Sequence, residues 1–288
     1  MSRKTLGIEL YGFPKAPGSS APVLPLDEWP RTDSDCEFWW SQRGLSSGDV
    51  GNPLDTMVDW STNSRDAPAA SAAWNAVLTG DHRADVISIG SRRGIAFNAT
   101  AQAGPFPNNN TGQGYVIPAI PQGSPSAVVA IFRPGNSDPL NGFVMELGGF
   151  SQSPEDTVAG ASKFMMGGQR YFRAGASFYT IQVTPEWGVS GSIDVRYVED
   201  NAGGTDLAVY DRADSASALT PTIVFGSYSD PSVAFADTTM TIGFRSHPTN
   251  DDYQYTEGDL LELMVFSNRG KLSSLNTYLS TYYADLIV

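Results

Sequence analysis

Cysteine, histidine and basic residues are all scarce in this 288-residue chain, and each shortage excludes something. The lone Cys36 cannot build an internal disulfide framework. His82 and His247 lie far apart with no cysteine cluster near either, which argues against a zinc site. Lys and Arg total 18 against 31 Asp and Glu, a net charge of -13, and such a surface repels phosphate backbones and anionic membranes. Nucleic acid is therefore not an expected partner. No apolar run approaches the about 18 to 20 residues of a membrane-spanning helix. The opening residues, MSRKTLGIELYGFPKAPGSS, are basic but have no apolar core before Gly12 and Pro14. They do not read as a signal peptide, so synthesis in a cytoplasm without export through the general secretion route, and a place in the virion, are expected. There is no internal repeat.

Turn formers, by contrast, are plentiful. Gly 29 and Pro 19 are spread between short apolar runs, as an all-β sandwich or barrel requires. The runs rich in apolar and β-branched residues are CEFWW (36–40), ADVISIG (84–90), GIAFNA (94–99), GYVIPAI (114–120), SAVVAIFRP (126–134) and NGFVMELGGF (141–150). They continue through SKFMMGGQRYFRAG (162–175), SFYTIQVTP (177–185), GSIDVRYVED (191–200), DLAVYD (206–211), PTIVFGSY (221–228), TTMTIGF (238–244) and DLLELMVFS (259–267). AVVAIF is apolar throughout and predicts a strand covered on both faces, whereas IQV and IDVRYV alternate and predict one wet face. DNAGGTD reads as a hairpin loop, and SAAWNAVLT (71–79) as a short helix.

The two ends of the chain differ from this pattern. In KLSSLNTYLSTYYADLIV, Leu272, Leu275, Leu279, Tyr282 and Leu286 recur at three- and four-residue steps. That predicts a C-terminal amphipathic helix, capped by Ser273 or Ser274 and lying on the preceding strand. At the N-terminus, Leu6, Ile8 and Leu10 alternate like a strand, and Pro14, Pro17, Pro22, Pro25 and Pro30 follow. Residues 1–35 are expected to be an arm and 36–288 the sandwich domain. The arm either folds back on its own domain or docks on a neighbouring subunit. Deleting residues 1–30 is expected to spare folding and abolish assembly.

The order of features resembles the concanavalin A-like lectin/glucanase superfamily, in its laminin-G-like and pentraxin-like bacterial and phage branch. The residues that carry the resemblance are EGDLLELMVFSNRGKLSSLNTYLSTYY, with Gly258, Asp259, Glu262, Phe266, Leu272, Ser273, Tyr278 and Leu279 at family positions. WSTNSRDA matches a family Trp-x-Asp-x-Ser-Gly-Asn string at Trp60 and Ser64, with Thr62 replacing the acid and Asp66 in place of Asn. GIAFNAT resembles a family strand through Phe97 and Asn98. The resemblance covers roughly 36–288. It implies a two-sheet antiparallel jelly-roll sandwich with a C-terminal helix, with Trp60, Phe97, Glu262 and Leu279 in structural roles. Glu262 would accept hydrogen bonds from backbone or from a tyrosine near the helix.

Glycoside hydrolysis needs two carboxylates about 5 to 9 Å apart. Asp194 and Glu199 are at an odd offset and so on opposite faces of a strand, and Asp259 and Glu262 are expected to lie across the pleat. A catalytic pair is therefore not expected, and a glycosidase is the least favoured reading. Asp251, Asp252, Glu257 and Asp259 supply hard oxygen ligands suited to calcium, the one cofactor considered, with solvated acidic turns as the simpler alternative. Sugar binding calls for an aromatic platform with polar neighbours, and Trp187, Tyr228, Tyr253, Tyr255 and Asn109 fall in turn-rich segments that could build one. Ordinary loop packing is the alternative for each. Trp39, Trp40, Trp60 and Trp74 lie among apolar residues and are assigned to the core.

A lectin-like sandwich without a leader or disulfides, and with a proline-rich arm, fits a non-enzymatic phage virion protein. A head decoration protein or a fibre or tail adhesin subunit, binding other virion subunits or itself through the arm, is the functional expectation. A free or cell-surface carbohydrate-binding module is the competing one.

Overall fold

The computed structural model describes residues 24–71, 81–97, 113–120, 127–135, 143–147, 164–167, 170–173, 180–183, 193–200, 207–211, 221–225, 238–245, 254–255 and 257–285. The described chain runs through β1 (Cys36–Ser41), β2 (Thr56–Met57), β3 (Ala67–Pro68), β4 (Asp85–Ile89), β5 (Arg92–Phe97) and β6 (Tyr115–Ile120). Next come β7 (Ala127–Pro134), β8 (Phe143–Leu147), β9 (Phe164–Gly167), β10 (Arg170–Arg173), β11 (Thr180–Val183) and β12 (Asp194–Asp200). The last elements are β13 (Leu207–Asp211), β14 (Pro221–Phe225), β15 (Thr238–Ile242), β16 (Phe244–Arg245), β17 (Gln254–Tyr255), β18 (Gly258–Phe266) and helix α1 (Leu272–Tyr282).

Two seven-stranded antiparallel sheets result. One has the order β13-β12-β7-β18-β5-β4, with β1 also paired to β18, and the other the order β14-β11-β10-β9-β8-β15-β6. The chain crosses between sheets after β5, β6, β7, β11, β13 and β15, which makes the all-β jelly-roll sandwich expected from the sequence. Val128, Ala130, Phe132, Leu263 and Val265 of the first sheet meet Ile117, Met240 and Ile242 of the second in one buried cluster. AVVAIF is covered on both faces, as its composition predicts. Val128 and Ala130 face the second sheet, while Val129 and Ile131 face a second cluster beneath the helix. SKFMMGGQRYFRAG forms two strands, β9 and β10. β12 and β13 pair with Asp200 opposite Leu207, as a hairpin requires.

The expected wet face of IDVRYV is absent. Val195 and Tyr197 pack into the helix-side cluster, and Arg196 is fully buried beside Asp194 on the opposite face. Alternation registers chemical type, and here the polar side chain is enclosed by the second layer of the fold.

β18 organises the first sheet. On one side it pairs with β7 along its whole length, and on the other first with β5 and then with β1. At the change of partner a bulge intervenes, so that Leu260 stands opposite Phe132 and Glu262 opposite Ile131. Leu260, Leu263 and Val265 face the second sheet, and Leu261, Met264 and Phe266 face the helix. The extra residue turns Glu262 to the helix side, the same side as Asp259, which pairs with Arg133. The expectation that Asp259 and Glu262 lie across the pleat is therefore corrected, because strict alternation fails at a bulge.

α1 lies over β1, β7 and β18 as a lid. Its buried residues are Leu275, Tyr278 and Leu279, joined just beyond the helix by Tyr283. Leu272 and Tyr282 are only partly buried, and Leu286 lies outside the described residues. The expected serine cap is also corrected. Lys271 occupies the N-cap position, and Ser273 and Ser274 are exposed. Lys271 fixes the helix start by other means: its amide donates to the Tyr197 hydroxyl at 2.9 Å, and its ammonium reaches Asp33 and Asp35 at 2.9 and 2.8 Å.

Contacts with the sandwich begin well before Cys36. Leu24 is buried in the helix-side cluster, and Trp29 stacks on Phe266 with ring centroids 5.6 Å apart. Glu28 pairs with Arg43, and Asp33 with Lys271. Residues 24–35 thus form a strap across the seam between helix and strand. Removing residues 1–30 would strip half of that strap, so the expected indifference of folding to this deletion is revised. The proposed helix at 71–79 lies almost wholly outside the described residues.

Candidate functional site

Glu262 is fully buried, and a lone buried carboxylate is costly unless it is satisfied. It is satisfied completely. Ser41 Oγ donates to Oε1 at 2.7 Å, Tyr283 OH to the same oxygen at 2.7 Å, and Trp39 Nε1 to Oε2 at 3.2 Å. Tyr278 OH lies 2.8 and 2.9 Å from the two oxygens and accepts from Arg43 Nη1 at 3.2 Å. Burial pushes the Glu262 carboxyl above its ordinary range, while hydrogen bonds from Tyr283, Ser41, Tyr278 and Trp39 pull it down. Burial, and then the Glu262 charge, lift both tyrosines well above theirs. The cluster ties β1, β18 and α1 together and is enclosed. Two of the donors to Glu262 are tyrosines of the helix and its end.

A second buried acid, Asp59, was not singled out by sequence. It accepts from the backbone amides of Trp39, Ser61 and Arg65 at 3.0, 2.9 and 2.7 Å and from Ser61 Oγ at 2.8 Å. Asp66 in turn accepts from the Asp59 amide at 2.9 Å. The WSTNSRDA motif is thus a loop organised around the acid just before it, a position that the family string does not mark. Trp60 belongs to this loop, donates its amide to Trp39 O at 2.7 Å, and packs against Gly44 so closely that a Cβ there would lie 2.8 Å from its ring. Phe97 is buried edge-on to Tyr115, with Gly243 at φ 83° beneath its ring. Trp60 is partly buried, and Phe97, Trp39 and Trp40 are buried.

The acids weighed for catalysis are separated or engaged. Asp194 shares its face with Arg196 and Val198, while Glu199 faces the helix side and accepts from Tyr197 and Tyr210. Of the calcium candidates, Asp259 is paired with Arg133, and Glu257 packs its side chain against Gly135. Asp251 and Asp252 lie outside the described residues. Among the described residues no group of three or more His, Cys, Asp or Glu is placed to hold a metal ion.

Of the sugar-binding candidates, Trp187, Tyr228, Tyr253 and Asn109 lie outside the described residues, and Tyr255 lies on β17. The strand registers show where the described strand ends that flank these residues lie. Pro134 at the end of β7 pairs with Gly258 at the start of β18, and Phe97 at the end of β5 pairs with the same glycine. Gly243, just past β15, abuts Phe97, so β15 ends at this same end of the sandwich. Tyr115 opens β6 opposite Ile242, and Gln182 near the end of β11 stands opposite Arg170 at the start of β10. The connections β5–β6 (with Asn109), β11–β12 (with Trp187) and β16–β17 (with Asp251, Asp252 and Tyr253) are therefore all bounded by strand ends at one end of the molecule. The β14–β15 connection with Tyr228 is bounded by strand ends at the other. The partly exposed Arg133 and its partner Asp259 mark the common end on the described surface.

No family model matches the chain, and no curated protein matches it. Among solved structures it is similar to the Ruminococcus gnavus IT-sialidase CBM40 bound to alpha2,6 sialyllactose, at 8% identity over 54% of this chain and 84% of that one, with a TM-score of 0.38. It is similar to the Trypanosoma rangeli sialidase in complex with sialic acid at 14% identity, covering 91% of this chain and 36% of that one, TM-score 0.48. A Bacteroides ovatus mixed linkage glucan GH16 in complex with a G4G4G3G product gives 9% identity, 69% and 91% coverage, and a TM-score of 0.33. The sandwich itself is defined by the chain's own strand pairing.

Proposed function

We propose that the protein is a non-catalytic, glycan-binding jelly-roll module of the concanavalin A-like class, carried on a phage virion as a head decoration or a fibre or tail adhesin subunit. One observation carries the glycan half. Strand registers bring to a single end of the sandwich the boundaries of the segments holding Trp187, Asn109, Tyr253 and Tyr255, an aromatic and amide set suited to stacking on a sugar and hydrogen-bonding its hydroxyls. The non-catalytic half is supported by the engagement of Glu262, Asp59, Asp259 and Glu199 in structural hydrogen bonds and ion pairs. The virion half rests on the composition and on the N-terminal residues.

A glycan array with the full-length chain tests the first half. Micromolar binding that Trp187→Ala and Tyr255→Ala remove, while Tyr228→Ala leaves it intact, is expected. Binding that depends on Tyr228 alone would overturn the choice of end, and release of reducing sugar from any bound glycan would overturn the non-catalytic reading. Mass spectrometry of purified phage particles tests the second half. Finding the chain free or on a bacterial surface, and never in particles, would favour a free carbohydrate-binding module instead.

A further inference from the structure

On the helix side of the first sheet, one row of residues crosses four strands. Asp85 stands opposite Ala96, Ala96 opposite Asp259, and Asp259 opposite Arg133. The row lies one residue in from the Pro134–Gly258 pair that closes this end of the sandwich. The helical lid stops short of it. Tyr278 and Tyr283 reach Glu262, which is opposite Ile131, and Ile131 belongs to the neighbouring row on the same face. Asp85 is exposed, Ala96 offers only a methyl group, and the Arg133 side chain keeps 35% of its surface in solvent. The row is thus an open shelf beside the end of the lid.

Asp259 is bound through one oxygen. Arg133 Nε donates to Oδ2, and Arg133 Nη2 pairs with the same atom. Among the described residues neither Asp259 Oδ1 nor Arg133 Nη1 has a hydrogen-bond partner, and neither is sealed from solvent. Glu262 and Asp59 differ, since both oxygens of each accept. Burial outweighs the pull of Arg133 and lifts the Asp259 carboxyl above its ordinary range, as an incompletely satisfied acid requires. We propose that Asp259 Oδ1 and Arg133 Nη1 together bind two adjacent hydroxyls of a neutral sugar. A hydroxyl both donates and accepts, so one of a vicinal pair donates to the carboxylate while its neighbour accepts from the guanidinium. Bonds to ionised partners are the stronger kind, and the grip of Oδ2 on Arg133 fixes the fork in advance, which lowers the ordering cost of binding. Charge selects the ligand class. The pair sums to zero, Asp85 adds a negative charge to the same row, and the chain as a whole carries -13. A carboxylated or phosphorylated sugar would meet repulsion here rather than a free cation.

This rests on the glycan reading above and adds to it two residues and a ligand class. Full-length wild type, Asp259→Asn and Arg133→Lys are titrated calorimetrically with the methyl glycosides of glucose, galactose and mannose, with their monodeoxy derivatives, and with the methyl glycosides of glucuronic acid and a sialic acid. A melting curve for each chain shows that it is folded, and Arg133→Lys carries the test alone if Asp259→Asn does not fold. Binding of a neutral hexoside, weakened about tenfold by either substitution and by loss of one vicinal hydroxyl, is expected. Loss of that hydroxyl should cost the substituted chains little more, a coupling that a merely structural ion pair would not show. Affinity unchanged in both variants, losses that simply add, or tighter binding of the glucuronide or sialoside than of the neutral hexosides would overturn the proposal. Binding that Trp187→Ala removes and both variants retain would refute this pair and leave the glycan reading standing. No binding to any member of the panel or of a glycan array would refute both.

Discussion

Glu262→Gln isolates the buried carboxylate with almost no change of shape. Three hydroxyls, from Ser41, Tyr278 and Tyr283, can rotate to suit an amide, but Trp39 Nε1–H cannot, since an indole only donates. The glutamine oxygen therefore turns towards the indole, and its amino group faces Ser41 Oγ, which already accepts from the Arg43 amide and must turn its own hydrogen away, leaving a buried donor unpaired. That costs about 1–3 kcal/mol, a sizeable part of the about 5–15 kcal/mol that holds a typical domain. Because part of the penalty resides in that hydroxyl, Ser41→Ala should lessen it: Glu262→Gln should cost less in a chain already carrying Ser41→Ala than in wild type. Urea denaturation of the four chains in the double-mutant cycle measures this directly.

The same variant carries a pH signature. Burial raises the folded-state pKa of Glu262 above its unfolded value. Its contribution is therefore fully present below the unfolded pKa, about 4.3 for glutamate, and is lost as pH rises through the folded value. The wild-type advantage over Glu262→Gln should be largest in acid and shrink towards neutrality. An equal cost of Glu262→Gln with and without Ser41→Ala would refute the orphaned-donor argument, and a pH-independent gap would refute the raised carboxyl.

Leu279→Ala, at a fully buried position of the helical lid, should destabilise by about 2–5 kcal/mol, seen as a lower melting temperature with glycan affinity of the folded protein unchanged. Gly243→Ala adds a Cβ 2.3 Å from the Phe97 ring at φ 83°; overpacking of about 1–3 kcal/mol should be partly relieved by Phe97→Leu in a thermal melt. A chain lacking residues 1–23 should melt like wild type, whereas one lacking 1–30 should melt lower, because it loses the Glu28–Arg43 pair and the Trp29–Phe266 stack; equal melting of the two truncations would remove the strap from the fold.

Strand existence was legible because turn residues bracket short apolar runs. The all-β class, the doubly covered β7, the terminal helix and the buried Glu262 could all be read in this way. Other features arise between segments distant in sequence. Arg196 alternates like a solvent-facing residue and is enclosed by the second layer, and nothing in IDVRYV records which layer covers it. The bulge in β18 reverses the facing of Glu262 relative to Asp259, because its cause is the change of neighbour from β5 to β1. Asp59 lacked a signal of its own, being one acid among many until the amides of Trp39 and Arg65 converge on it. The helix start was misplaced onto serines since the clasp of Lys271 by Asp33 and Asp35 spans more than two hundred residues.

The sequence by itself determined where the strands and the terminal helix fall and the acidic charge of the chain. Only the tertiary structure decided which strands are neighbours and which described strand ends lie at the same end of the sandwich. Those depend on strand order and register, and backbone pairing across the sheet is set by neighbours that local composition does not name.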